Sequence, residues 1–82
     1  MAFDRSKYQI VKASDVSDRD GVGVAISRDG KIVCEIFRDD TDRTRTVWLA
    51  EQVVPLEELE GFIQIFKDGI DWEFIDYDSL PT

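Results

Sequence analysis

The stretch Pro55 to Gly69, PLEELEGFIQIFKDG, is the one segment of the chain with helical periodicity, and its reading decides the fold. Leu56, Leu59, Phe62, Ile63 and Phe66 recur at three- and four-residue steps, which puts them on one side of a 3.6-residue helix. Pro55 suits the first helical position, where a missing N–H loses nothing. Glu57 and Glu58 sit where the positive end of the helix dipole favours carboxylates. Gly69, after Lys67 and Asp68, is placed to take the left-handed position just past a helix that ends at Lys67. Two residues fit less well: Val54 offers no capping side chain, and Gly61 inside a helix costs about 0.5–1 kcal/mol relative to alanine. Ile65 lies at the edge of the apolar stripe.

Working upstream, residues 22 to 37 carry the strongest β signal, VGVAIS, RDG and KIVCEIF, with Asp29-Gly30 as a turn. A two-residue turn there would set Ile26 against Val33 and Val24 against Glu35, mixing apolar and charged residues on both sides. A three-residue loop from Arg28 to Gly30, with Gly30 left-handed, sets Ile26 against Ile32, Val24 against Cys34 and Val22 against Ile36, so one face is apolar throughout. The sequence therefore favours the three-residue loop, and Gly23, Ala25, Ser27, Lys31, Val33, Glu35 and Phe37 fall on the other face. Arg38 to Arg43 reads as a charged turn, and Thr44 to Glu51 as a third strand with Val47 and Leu49 toward the helix and Thr44, Thr46 and Trp48 on the outer side. Before the hairpin, a frayed end precedes a short strand around Tyr8, Ile10 and Val11, and Ala13 to Asp20 reads as a loop. After the helix, Ile70, Trp72 and Phe74 alternate with Asp71 and Glu73, as in a short strand or an extended segment folding back over the helix. Residues 78 to 82 read as a mobile tail. The expectation is an α+β fold: a small antiparallel β-meander of three to four strands with one amphipathic helix packed on one face. Its core is Leu59, Phe62, Ile63 and Phe66 against Val22, Val24, Ile26, Ile32, Ile36, Val47 and Leu49.

The 82 residues suit a single domain, residues 1 to 82, and 43% hydrophobic content is that of a folded chain. No apolar run approaches the roughly 18 residues of a membrane span, and the start MAFDRSKYQ lacks the apolar core of a signal peptide. The expected setting is soluble and cytoplasmic. The single Cys34, in a strand-like run, reads as a small buried apolar residue. With no histidine, the commonest general base, the Ser-His and Cys-His nucleophile pairs and most zinc sites are missing. No Gly-rich phosphate loop occurs either, so no catalytic residue and no cofactor are assigned. Asp15, Asp18, Asp20 and Gly21 resemble a calcium loop, but aligning Gly21 with its turn glycine puts Val16 at the first ligand position and Ser27 where the bidentate glutamate belongs. Asp39, Asp40 and Asp42 read as a solvated loop neutralised by Arg38, Arg43 and Arg45 rather than as a metal site.

Charge is the informative quantity. Of the net −8, residues 1 to 54 hold ten acids and nine bases, a balance of −1, and residues 55 to 82 hold eight acids and Lys67, a balance of −7. Such a field repels nucleic acid and attracts basic proteins. Two readings follow. In the first, the chain is a small acidic inhibitor, of the immunity-protein, antitoxin or anti-nuclease kind, that offers carboxylates to a basic partner such as a nuclease or nucleic-acid-binding protein. Glu57, Glu60, Asp71 and Glu73 are its candidate contacts, with Asp76 and Asp78 following, and Trp72 or Trp48 is the apolar anchor. In the second, the chain is an accessory or adaptor domain that docks on a larger assembly through an apolar sheet face around Trp48 and Phe37. A second copy of the chain is another candidate occupant of that face.

Overall fold

The computed structural model describes residues 3–15 and 20–75. A single 3₁₀ turn, Arg5–Lys7, precedes β1 (Gln9–Asp15), β2 (Gly21–Arg28), β3 (Lys31–Asp39), β4 (Thr44–Leu49) and one helix, α1 (Leu56–Gly69). The strands pair antiparallel in the order β1-β2-β3-β4, so the fold is the expected α+β meander, with four strands and α1 lying over β2 and β3. The first strand is longer than the sequence suggested: Ala13, Ser14 and Asp15 belong to β1, opposite Gly23, Val22 and Gly21. The remainder of the expected loop, 16–19, and the expected tail lie outside the described residues. From Phe3 onward the chain before β1 is packed rather than frayed. Phe3 stacks on Tyr8 at 5.0 Å between ring centroids, and both rings meet Phe62 edge-on.

The β2–β3 hairpin corrects one expectation and keeps its reason. Arg28 pairs with Lys31, so the turn has two residues, Asp29 and Gly30, and both have positive φ (53° and 80°) as a tight hairpin turn requires. A β-bulge then shifts the register by one: Ser27 faces Ile32, but Ile26 faces Cys34 and Val24 faces Ile36. The apolar side chains still collect on one face. The bulge, rather than a longer loop, brings them there. Ile32 is the casualty, since its place opposite Ser27 turns it outward and leaves it 46% exposed. Pairing of β4 follows expectation, with Val47 opposite Ile36 and Leu49 opposite Cys34, although Val47 at the rim stays half exposed.

The helix begins after Pro55, which stands at the cap position with extended ψ and no capping side chain. It also runs further than expected. Gly69 is its last residue and is not left-handed, and the extended Ile70 closes the helix by donating its N–H to the Phe66 carbonyl at 2.8 Å. The buried stripe is Phe62, Ile65 and Phe66, with Ile70 beyond it. Ile65, expected at the margin, is 2% exposed, whereas Leu56 is 65% exposed and Leu59 and Ile63 are only partly covered. The core is thus Phe62, Ile65, Phe66 and Ile70 against Val24, Ile26, Cys34 and Ile36. The aromatic segment before β1 causes the rotation. A Cβ at Gly61 would run into the Phe3 ring, so this glycine is where the helix accepts an aromatic side chain against its backbone.

Truncating Ile65 or Phe62 to alanine is expected to lower unfolding stability by about 2–5 kcal/mol, while Leu56→Ala changes it by at most about 0.5 kcal/mol. Urea titrations of the three variants check the assignment of the stripe. Gly61→Ala, favourable in an open helix, is expected to lower the melting temperature here and to raise it when Phe3 is also alanine. A double-mutant cycle with the same sign in both backgrounds would refute the Phe3 contact.

Candidate functional site

Three regions carry the residues singled out by the sequence, and the structure does not bring them together. On α1, Glu57 and Glu60 are exposed, with Gln64 beside them donating to Asp68 at 2.8 Å. Glu58 belongs elsewhere: its carboxylate accepts from the Tyr8 hydroxyl at 3.0 Å and lies 3.7 Å from the Arg28 guanidinium. Burial, then the bond to Glu58 and its charge, push the Tyr8 phenol above its ordinary range. Asp71 and Glu73 lie beyond the opposite end of the helix, about 20 Å from Glu57 along an axis rising about 1.5 Å per residue. Asp76 and Asp78 are outside the described residues.

Beyond the helix, the chain forms no strand among the described residues, and it is held by arginines. Alternation places Arg38 on the inward side of β3 and Arg45, its pairing partner, on the inward side of β4. Arg38 Nη1 donates to the Asp71 carbonyl at 2.6 Å, and Arg45 Nε and Nη2 donate to the Trp72 carbonyl at 2.9 and 2.7 Å. The Arg45 guanidinium also lies 4.0 Å from the Trp72 ring centroid and 4.1 Å from that of Phe74. Trp72 meets Phe66 edge-on at 6.2 Å and Lys67 at 5.2 Å. The expected alternation is therefore real, but it packs the segment between the helix end and the arginine end of the sheet. Trp72 keeps 44% of its surface exposed, beside the exposed Asp71 and Glu73.

Of the three aspartates of the β3–β4 turn, Asp42 is solvated as expected, but Asp39 and Asp40 are not. Arg38, Asp39 and Asp40 are 3%, 8% and 5% exposed. Asp40 pairs with Arg38, Oδ2 to Nη2 at 3.2 Å and Oδ1 to Nε at 2.9 Å, and Oδ1 also accepts the Ile75 N–H at 3.0 Å. Asp39 Oδ1 accepts the N–H groups of Thr41 and Asp42, each at 3.0 Å, and so closes the turn on itself. Only Thr41, Asp42 and Arg43 meet solvent. The Asp39 and Asp40 oxygens therefore serve the fold, and no group of three or more metal-ligating side chains occurs among the described residues.

The third region is the outer sheet face. Trp48 stands opposite Glu35 and Phe37 opposite Thr46, on the side away from α1. The segments that flank the sheet do not cover this face among the described residues, because Tyr8 packs on Phe62 and Trp72 on Phe66, both on the helix side. Trp48 is 52% and Val11 60% exposed there. Between them Ala13, Gly23 and Ala25 are adjacent across β1 and β2, and together with Phe37 and Glu35 they line a hollow of about 200 Å³. A Cβ at Gly23 would strike the Ile36 carbonyl and the Phe37 ring, so this position is glycine because that ring lies against it and buries it. Glu35 was legible in the alternation as an outward residue, but only the pairing of β1 with β2 puts Val11 on the same face and shows the hollow.

Cys34 is fully buried in the core, and burial, followed by the charges of Glu35 and Glu58, pushes its thiol up to about 12. No helix is long and apolar enough to cross a membrane among the described residues. Comparison with protein-family models, with curated sequences and with solved structures finds no match to this chain.

Because the thiol's folded pKa lies above its ordinary value of 9.0, the unfolded chain releases the proton first. The stability this contributes is complete below pH 9 and is lost as pH rises toward 12. Comparing unfolding curves of the parent and Cys34→Ala across that window should show the steeper decline in the parent. Asp40→Ala, which leaves the Arg38 charge buried and unpaired, is expected to cost about 3–5 kcal/mol in the same assay.

Proposed function

We propose that this chain is a non-catalytic, cytoplasmic, acidic interaction module, most closely a small inhibitor of the immunity-protein, antitoxin or anti-nuclease kind, that binds a basic protein. The observation that carries the reading is local to the C-terminal third: the arginines that reach it are used within the fold, while most of its carboxylates face solvent. Arg38, Arg45, Arg28 and Arg5 are committed internally, to Asp40 and Asp71, to Trp72, to Glu58 and to Asp68 respectively. Glu57, Glu60 and Glu73 are exposed, and none of them pairs with a cation among the described residues. The chain therefore presents solvent with an acidic field that its own bases do not cancel. Such a field speeds encounter with a lysine- or arginine-rich surface, and carboxylates can stand where that surface would take phosphates. Trp72, held between Phe66 and Arg45 yet 44% exposed beside Asp71 and Glu73, supplies an apolar anchor that needs no rearrangement.

A second reading, an accessory domain docking on a larger assembly, is favoured by one separate observation: the outer sheet face leaves Val11 and Trp48 more than half exposed, with nothing laid over them among the described residues.

The test is association kinetics with a partner isolated by affinity capture and then purified. Reversal of Glu57, Glu60, Asp71 and Glu73 to lysine is expected to leave the melting temperature within a few degrees of the parent and to slow association tenfold or more. The parent's on-rate should fall steeply between low and physiological salt. A reversed variant that associates at the parental rate would reduce the acidic surface to a solvated one.

A further inference from the structure

We infer that the free edge of β4 is a self-association surface, where a second copy of this chain adds its own β4 antiparallel across a two-fold axis at Val47 and joins the two sheets with both helices on one side. The contact is additional to the module reading above and independent of it. Ala50 donates to the Val33 carbonyl at 3.0 Å, and an antiparallel ladder alternates between hydrogen-bonded and non-hydrogen-bonded pairs, so Thr44, Thr46 and Trp48 exchange their bonds with β3. Arg45, Val47 and Leu49 therefore turn their N–H and C=O groups to the open side, where no described residue takes them.

The two edges of the sheet are finished differently. On β1, Lys12 stands opposite the buried Val24 and its stem lies against Gly69 at the end of α1, an inward charge of the kind that guards an edge. The sequence of β4, TRTVWL, has no lysine, proline or glycine, its register with β3 is unbroken, and its one charge, Arg45, is folded back onto the Trp72 carbonyl. Val47 is half exposed on this edge, beside a hollow of about 160 Å³ between it, Ile63, Phe66 and Trp72. Open backbone groups with an apolar border are what an added strand satisfies.

The side chains of β4 are complementary to themselves, which selects a second copy as that strand. With Val47 of both copies on the axis, the register sets Thr46 of each against Trp48 of the other, Arg45 against Leu49 and, just outside β4, the exposed Arg43 against the exposed Glu51. Symmetry makes the aromatic–β-branched pair and the opposite-charge pair twice each, and no like charges face one another along the seam. The pairing also lays Val47 and Leu49 of each copy beside the hollow of the other. A net charge of −8 per copy opposes association, but β4 carries no carboxylate, and charges more than about 8 Å apart are largely screened at physiological ionic strength.

Sedimentation of the full chain from micromolar to millimolar concentration reads the mass, and amide hydrogen exchange on the isotope-labelled chain reads the edge. A species of twice 9.4 kDa is expected, with protection of the Arg45, Val47 and Leu49 amides that grows with concentration. Val47→Lys, which sets like charges on the axis, should raise the dissociation constant about tenfold or more. Val47→Pro removes an N–H that bonds nothing within the sheet and should act likewise, so the outcome does not hang on the folding of one variant. Arg43→Glu should weaken the dimer, and adding Glu51→Arg should restore it. A chain that stays at 9.4 kDa at millimolar concentration overturns the proposal. So does a dimer whose Arg45, Val47 and Leu49 amides exchange freely, or one that both Val47 variants leave intact, since either puts the contact on another face. None of these results bears on the acidic-module reading, which the charge-reversal kinetics test separately.

Discussion

A single helix is narrower than the sheet it must cover, and most of the structure's irregular features answer that mismatch. A helix with its side chains is about 10 Å across, whereas four strands at about 4.8 Å spacing present a surface nearly twice as wide. Lying over β2 and β3, α1 covers Val24, Ile26, Cys34 and Ile36 and leaves both flanks of the inner face open. Aromatic residues from outside the regular elements fill them. Phe3 and Tyr8 pack beside Phe62 from the segment leading into β1, and Trp72 packs beside Phe66 from the segment leaving α1. The buried helical stripe is accordingly Phe62, Ile65 and Phe66, because the partners on the two sides decide which residues of an amphipathic helix become central.

Irregular chain in a packed position must find partners for its backbone, and here arginine supplies them. The carbonyls of Asp71 and Trp72 have no strand to pair with and instead accept from Arg38 and Arg45, which point inward where the hydrophobic alternation of β3 and β4 stops. Asp40 balances Arg38 and takes the Ile75 N–H with the same carboxylate, so one buried ion pair links the β3–β4 turn to the chain after the helix. Burial of such a pair contributes little net stability, since desolvation offsets the attraction, but breaking it strands a charge. Its role is to fix where the segment lies, and with it the direction in which Trp72 and Glu73 face.

This arrangement explains which parts of the fold the sequence disclosed. Period-two alternation in β2, β3 and β4 and period-3.6 spacing in α1 gave the element types and the antiparallel order, because both patterns are local. The hairpin turn was misjudged because face consistency can be met by a longer loop or by a bulge, and only the pairing of Ile26 with Cys34 distinguishes them. Asp39 and Asp40 looked solvated because neighbouring arginines in sequence read as a neutralised surface. Their burial depends on Ile75 and Asp20, 35 and 20 residues away in the chain. Among the candidate contact residues, exposure of Glu57, Glu60, Asp71, Glu73 and Trp48 followed from pattern alone. Their separation into three regions did not, since it requires knowing where the chain goes after Gly69.

That separation limits how the candidate surfaces can act. The helix stands on the order of 10 Å above the sheet, and the outer face lies beyond the sheet again. At physiological ionic strength the screening length is about 8 Å, so the carboxylates of Glu57 and Glu60 exert little field at Glu35 through the surrounding solvent. One flat partner cannot touch both sides of the molecule. Engagement of the acidic helix side would work through many weak, salt-sensitive attractions that raise the encounter rate, whereas engagement of the outer face, where Val11 and Trp48 are exposed, would work through contact and slow dissociation. A partner using the helix side would therefore be recognised by its net basicity, and one using the sheet face by its apolar surface. The split between on-rate and off-rate effects on mutation is the physical signature that tells which side of the molecule is engaged.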